Sequence, residues 1–314
     1  MSEQSPRRSR KGGEDALALL RREEPLAPMT TIGTGGPARF FARVGSRPQL
    51  PPLLAWAEEQ REPVYVLGSG SNLLVADEGV AGLVIKLDRE LAAIDVQPPR
   101  LVCGGGARLP SVAARAAAAG LSGIEFGVNI PGTVGGAVRM NANAYGGELA
   151  RVLEWVEIAG PGGYERRGPQ ELGFAYRSSA LREGEVVAGA SLLLEPAAVA
   201  QVKGTLQEMR RRRHEAQPQG IRTFGSTFKN PEDPRAGERT AGMLLEQAGC
   251  AGLTVGGARF APKHSNFIEN TGSARTADVL ALMAEGRRRV LESSGVELEP
   301  EVHTLGPVSF PWRP

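Results

Sequence analysis

Hydrophobic and polar positions change period several times along the 314 residues. Short apolar runs predict strands over Ala38–Val44, Pro63–Leu67, Leu83–Leu87 and Leu101–Cys103. Helical spacing over Gln49–Gln60 places Leu50, Leu53, Leu54, Trp56 and Ala57 as apolar positions, and a second, alanine-rich helix is predicted over Leu109–Ala119. The first strand, helix and second strand make a unit of the size of a small βαβ lobe. Further strands are predicted over Val152–Ile158 and Val186–Leu194, with a turn at Pro161-Gly162-Gly163 between them. A helix over Ala198–Ala216 ends in Arg210–Arg213, and Pro218 and Gly220 then break the chain. The last third is laid out differently. It reads as a polar turn at Gly225–Pro231, a short helix over Gly242–Ala248, and strands at Ala258–Ala261 and Asn266–Glu269. An amphipathic helix over Thr276–Ser293 follows, with Val279, Leu280, Leu282, Met283 and Val290 on one side, and a final strand lies near Val302. No fixed-period repeat is visible.

Composition narrows this frame. The apolar fraction of 41% supplies a full core, while 41 glycines and an aromatic fraction of 5% suit a loop-rich mixed α and β enzyme better than a bundle. Net charge is only +2, so no whole-molecule field argues for nucleic acid. No apolar run reaches membrane-spanning length. Met1–Glu14 lack the apolar stretch of a secretory signal and read as a solvated tail despite Arg7, Arg8, Arg10 and Lys11. The arginine run at 210–213 has no aromatic platform beside it and reads as a helix end that complements the C-terminal dipole. Cys103 and Cys250 lie far apart and read as reduced thiols of a cytoplasmic protein. With His214, His264 and His303 they show no metal-ligand spacing.

The densest local signal is Asn129–Gly147, with five glycines, three asparagines and no acidic residue. Glycine admits positive φ and close approach of a ligand to the main chain, so bare N–H groups there can form a nest for an anion. No P-loop lysine follows. The stretch reads either as a cradle for a dinucleotide pyrophosphate or as a tight turn between strands. Gly68-Ser69-Gly70-Ser71-Asn72 is a second turn suited to phosphate contacts, but it is not the Rossmann GxGxxG fingerprint.

Six motifs occur in one order: Leu67–Asn72, Ile130–Ala137, Ala144-Tyr145-Gly146, Tyr176-Arg177-Ser178-Ser179, Gly225–Pro231 and Glu299–Val302. In this the chain, from about residue 28 to residue 306, resembles the UDP-N-acetylenolpyruvoylglucosamine reductases. The resemblance implies an α+β protein with the FAD-binding fold of the vanillyl-alcohol oxidase and p-cresol methylhydroxylase type, plus a C-terminal α/β substrate-binding domain. The domains expected are a disordered tail (1–27), two FAD-binding subdomains (28–82 and 83–215) and the substrate-binding domain (216–314). It further implies non-covalent FAD, NADPH as co-substrate, a UDP-sugar substrate for peptidoglycan synthesis, and a monomer without nucleic-acid or membrane partners. Cofactor contacts are expected at Gly68, Ser69, Gly70, Ser71, Asn72, Ile130, Pro131, Gly132, Gly135 and Gly136. Tyr145, Arg177, Asn230, Lys263 and His264 are expected on the sugar nucleotide.

The implied reaction adds hydride to the terminal carbon of an enolpyruvyl ether. Charge then builds on the carboxylate side, where a planar guanidinium can hold it, and the neighbouring carbon needs a proton. Arg177 matches the first role, Ser226 the proton donor, and Glu301 an acidic partner whose pKa burial can raise. From residue type alone, the favoured readings are instead a surface ion-pair residue for Arg177, a turn or cap residue for Ser226 and a solvated strand end for Glu301. Three departures stand out. Asn143 replaces a glycine before Ala-Tyr-Gly, Phe224 replaces a small residue and is expected to narrow the pocket mouth, and the segment after Arg177 lacks a tyrosine-bearing loop, as in the type II form. A flavin oxidase or dehydrogenase of the same fold, and a non-enzymatic flavin- or nucleotide-binding protein, are the competing readings.

Overall fold

The computed structural model describes residues 15–218 and 220–312, so Arg7, Arg8, Arg10 and Lys11 lie outside the described residues. Contacts within the chain divide it into two units. The first comprises Met1–Glu24 as far as described, Arg39–Ser69 and Ala81–Arg212. The second comprises Pro25–Ala38, Gly70–Val80 and Arg213–Pro314 as far as described. The segments 25–38 and 70–80 therefore group with the C-terminal residues.

Among its described residues the first unit holds two two-stranded sheets and two larger ones. One is four-stranded, in the order Arg21–Pro25, Pro37–Val44, Val80–Leu87, Val64–Val66. Its last two strands pair in parallel. The other is antiparallel and five-stranded, in the order Gly163–Arg167, Leu153–Gly160, Val186–Leu193, Arg100–Gly104, Ile94–Gln97. The helix Leu50–Glu59 carries proline in its first turn, where the ring's fixed φ suits a helix and no donor is lost. It buries Leu50, Leu53, Leu54 and Ala57 against Leu83, Ile85 and Val186. The helix Leu109–Ala118 buries Leu109, Val112, Ala113, Ala116 and Ala117 in the larger core cluster. The helix Val199–Ala216 buries only Val202 and Leu206, and within its arginine-rich end Arg211 and Arg212 pair with Glu208. Exposed pairs of that kind add little stability.

Two polar strands depart from the sequence expectation. Arg21–Pro25 forms a sheet strand within the expected tail, and Gly163–Arg167 makes the turn at 161–163 into a hairpin. Backbone pairing at a sheet edge holds both, so neither needs an apolar face.

In the second unit a four-stranded antiparallel sheet runs Arg222–Ser226, Phe267–Asn270, Ala258–Phe260, Thr254–Val255. His303–Leu305 pairs in parallel with Leu73–Val75. The helix Thr276–Ser294 buries Val279, Leu282, Met283 and Val290 in a core with Phe224, Phe228, Phe260 and Ile268. Gly286 is the close-approach point, since a Cβ there would sit 2.7 Å from Phe260 Cζ. The Asp77 carboxylate accepts from the N–H groups of Thr276 and Ala277 at 2.9 and 3.0 Å, capping this helix and favouring its positive end. That bond, with Thr276 Oγ1 donating to Val75 O, ties 70–80 to the C-terminal residues. Phe224 is fully buried in this core, because its position on the strand faces inward. It does not narrow a pocket mouth.

Candidate active site

The glycine-rich stretch of the first unit is part helix and part open turn. Thr133 caps the helix Val134–Arg139, its hydroxyl accepting from Gly136 N at 3.4 Å. Val134 N–H donates to Ala107 O and Gly135 N–H to Gly105 O, so these two donors are committed within the fold. Among the described residues the N–H groups of Gly132 and Thr133 meet no acceptor. A methyl at Gly132 or Gly136 would approach nothing nearer than 3.6 Å, so the main chain is open to a ligand there. Gly68 closes the other wall, and a Cβ at that residue would lie 2.7 Å from Thr133 Oγ1. Lys86 Nζ donates to Gly68 O, which aims the N–H of the same peptide, that of Ser69, the opposite way. Burial, with Arg43 nearby, lowers the Lys86 pKa. Open backbone, free donors and no carboxylate suit a pyrophosphate, so the residues fit the dinucleotide expected of them. Gly135 commits its N–H to Gly105 O.

A cleft of about 660 Å³ in the same unit contains none of the expected residues. Glu58, Glu62, Glu165, Glu183 and Glu185 line it, and that charge would repel a diphosphate.

Arg177 lies in a turn closed by the Ala175–Ser178 bridge, not at a strand end. Its backbone is left-handed (φ 56°), an uncommon state for a side chain with Cβ and one found at constrained sites. Its Nη1 donates to Asn143 O at 3.4 Å, and the guanidinium lies 5.6 Å from the Tyr176 ring centroid. Asn143 is thus drawn in by its carbonyl. Tyr145 is likewise left-handed (φ 51°), in the hairpin that pairs Asn143 with Glu148.

In the second unit Ser226 ends a strand whose register shifts between Thr223 and Ser226. Gly225, at φ 85°, permits that shift without Cβ strain. Thr227 and Phe228 follow, fully buried. Asn266 clamps the segment. Its Oδ1 accepts from Phe228 N at 2.9 Å, its Nδ2 donates to Phe228 O at 2.8 Å, and its own carbonyl accepts from Thr227 N. Glu301 N donates to Thr227 O at 2.9 Å, and Asn72 Nδ2 donates to Glu301 O at 3.1 Å. The chain segments carrying Ser226, Glu301 and Asn72 are therefore joined. The Thr227 hydroxyl is buried and finds no partner among the described residues. Asn230 Oδ1 accepts from Ala241 N, beside the start of the helix Ala241–Gln247, and Lys263 Nζ donates to His214 O. These two expected substrate residues hold the fold in this state. His264 Nδ1 accepts from Asn266 N at 3.3 Å, which leaves Nε2 to carry the proton, and burial lowers the pKa of the ring. Sequence reasoning missed Asn266, Asn129 and Lys86. The one signal for the asparagines is a lone amide beside an apolar run.

Residues 38–167 match the FAD binding domain family, and the fold is that of an FAD-binding oxidoreductase of α+β architecture. Residues 217–305 match the C-terminal domain of UDP-N-acetylenolpyruvoylglucosamine reductase. The UDP-N-acetylenolpyruvoylglucosamine reductase 2 of Symbiobacterium thermophilum is 45% identical over 297 residues, 94% of either chain. The reductase of Paramagnetospirillum magneticum is 44% identical over 285 residues, 90% of this chain and 91% of that one. The crystal structure of the reductase (MurB) from Thermus caldophilus superposes with a TM-score of 0.78 at 39% identity, covering 91% of this chain and 99% of that one. The chain belongs to the UDP-N-acetylenolpyruvoylglucosamine reductase family. Among the described residues no helix is long and apolar enough to cross a membrane.

Proposed function

We propose that this protein reduces UDP-N-acetylglucosamine enolpyruvate to UDP-N-acetylmuramate, with NADPH as the electron source. The chemistry that FAD would supply when bound is hydride transfer from NADPH to the substrate. The chain's own residues bind, orient and protonate. Gly132 and Thr133 offer main-chain N–H groups to the pyrophosphate. Arg177 takes the substrate carboxylate in a two-bond fork and stabilises the negative charge that grows there as hydride reaches the terminal carbon. Ser226 gives its proton to the neighbouring carbon. A hydroxyl is a weak acid, so this transfer needs a strongly basic enolate and fixed geometry. Glu301 stabilises the intermediate beside it. Tyr145, Asn230, Lys263 and His264 bind the sugar nucleotide, and the last acts as a neutral Nε2–H donor.

The observation that supports this reading is the joining of the Ser226 and Glu301 segments through the Thr227 carbonyl and the Asn266 clamp. That network fixes relative to one another the backbone segments that carry Ser226 and Glu301, as a proton donor and its partner require. A solvated turn residue and a loose strand end would need no such network. Single-turnover spectra test the proposal. In Ser226→Ala, bleaching of the flavin by NADPH should survive while recolouring by the enolpyruvyl substrate falls by orders of magnitude. Unchanged recolouring removes Ser226 as the donor. Reoxidation by oxygen alone, with no response to the enolpyruvyl ether, would place the protein among flavin oxidases instead.

A further inference from the structure

Asn129 stands just before the open turn of the first unit, with only 8% of its surface exposed. Its Nδ2 donates to Met209 O at 2.7 Å and to Tyr145 Oη at 3.1 Å. A main-chain carbonyl can only accept, so the end of the amide facing Met209 must be the NH2 group. With the amide reversed, two acceptor oxygens would meet at 2.7 Å. The second hydrogen of that NH2 then falls to Tyr145, whose oxygen is the acceptor. The phenolic hydrogen of Tyr145 must point away from Asn129, and the residue is 45% exposed. The left-handed backbone at Tyr145 (φ 51°) and at Gly146 (φ 81°) fixes where the ring stands.

We propose that Asn129 is a positioning residue that sets the hydrogen-bond polarity of Tyr145, so that Tyr145 meets the sugar nucleotide as a donor. The ligand atom opposite it is an acceptor oxygen of the phosphate, carbonyl or ether kind, and an N–H group is refused there. This rests on the assignment of Tyr145 to the substrate-binding set. Polarity of this sort selects more sharply than added apolar contact, because a mismatched ligand leaves a buried polar group unpaired.

The test is a double-mutant cycle on the FAD-loaded, oxidised enzyme, with the dissociation constant of UDP-N-acetylglucosamine enolpyruvate read by calorimetry and flavin retention by visible absorbance. Tyr145→Phe should weaken binding roughly tenfold and Asn129→Ala roughly fivefold, the scale of one hydrogen bond. The double variant should match Tyr145→Phe alone, because without the phenol there is no polarity to set. The near-isosteric Asn129→Asp, which also sets a carboxylate oxygen against Met209 O, carries the test where the alanine variant fails to retain flavin and the aspartate variant keeps it. Its carboxylate accepts the phenolic hydrogen and turns it inward, so binding should fall as far as in Tyr145→Phe. Additive losses, or tight binding by Asn129→Asp, overturn the assignment of Asn129 alone. A Tyr145→Phe variant that binds as tightly as the parent removes Tyr145 from the substrate site, and this inference with it.

Discussion

Replacing Asn266 with alanine probes the network beneath Ser226. Asn266 is 4% exposed and Phe228 fully buried, and the amide satisfies both the N–H and the C=O of Phe228, at 2.9 and 2.8 Å. Truncation strands one buried donor and one buried acceptor. Each costs about 1–3 kcal/mol, so together they cost roughly 2–6 kcal/mol, with the lower half applying if water enters the space vacated. We expect a loss of about 3 kcal/mol, read from the urea midpoint at constant slope. Asn266→Asp keeps the acceptor for Phe228 N but sets a carboxylate oxygen against Phe228 O, so it should be no milder near neutral pH. Of the expected cofactor contacts, Gly68, Ser69 and Ile130–Gly136 belong to the first unit while Gly70–Asn72 belong to the second and share the Glu301 link, so the flavin spectrum should persist in both variants with a weakened affinity. Turnover should fall as Ser226 and Thr227 lose their register. A loss below about 1 kcal/mol with full turnover would refute the clamp.

Gly68→Ala should weaken FAD binding measurably by fluorescence titration, since its methyl would sit 2.7 Å from Thr133 Oγ1 and must displace a cradle wall. Unchanged affinity would show that the wall yields. Thr227→Val should be neutral or stabilising by up to about 1–2 kcal/mol in denaturant, because it removes a buried hydroxyl that has no partner among the described residues. A clear destabilisation would contradict this. Burial holds the folded-state pKa of His264 below its usual value of about 6.5, so the unfolded chain takes up the proton first. Its contribution to stability is therefore full above about pH 6.5 and declines as pH falls towards the folded-state pKa. The wild-type urea midpoint should drop between pH 7.5 and 5.5 by more than that of His264→Gln, and parallel curves would exclude the effect. Burial pushes the Cys103 thiol up to about 12 and raises Cys250 as well, and both are free. Ellman's reagent should titrate them only after denaturation.

The helices were legible because their apolar spacing coincides with the buried faces. Leu50, Leu53, Leu54 and Ala57 share one core, and Val279, Leu282, Met283 and Val290 another. Arg21–Pro25 and Gly163–Arg167 were not, because a strand held by backbone pairing leaves no hydrophobic signature. Family motifs drew attention to Ser226 and Glu301, which no periodicity distinguishes. Yet only the fold reveals that Asn266 joins Thr227 to Phe228, or that Gly135 spends its N–H on Gly105 O. Phe224 shows the reverse error. A substitution in a motif suggested a change at the pocket, whereas strand alternation sends the ring into the core.

The second unit gathers three lengths of chain that translation delivers at different times. Asp77 and the N–H of Thr276 that it accepts are 199 positions apart. At roughly 5–20 residues per second, the earlier partner leaves the ribosome some 10–40 seconds ahead of the later one. Throughout that interval Ile32 and Leu74 have no core to enter, since their companions Phe260, Leu282 and Val290 have yet to be made. A message cut short after residue 212 would leave those side chains as a permanent target for chaperones and proteases. A single cleavage cannot release either unit whole, so a deletion variant meant to isolate one must splice the chain.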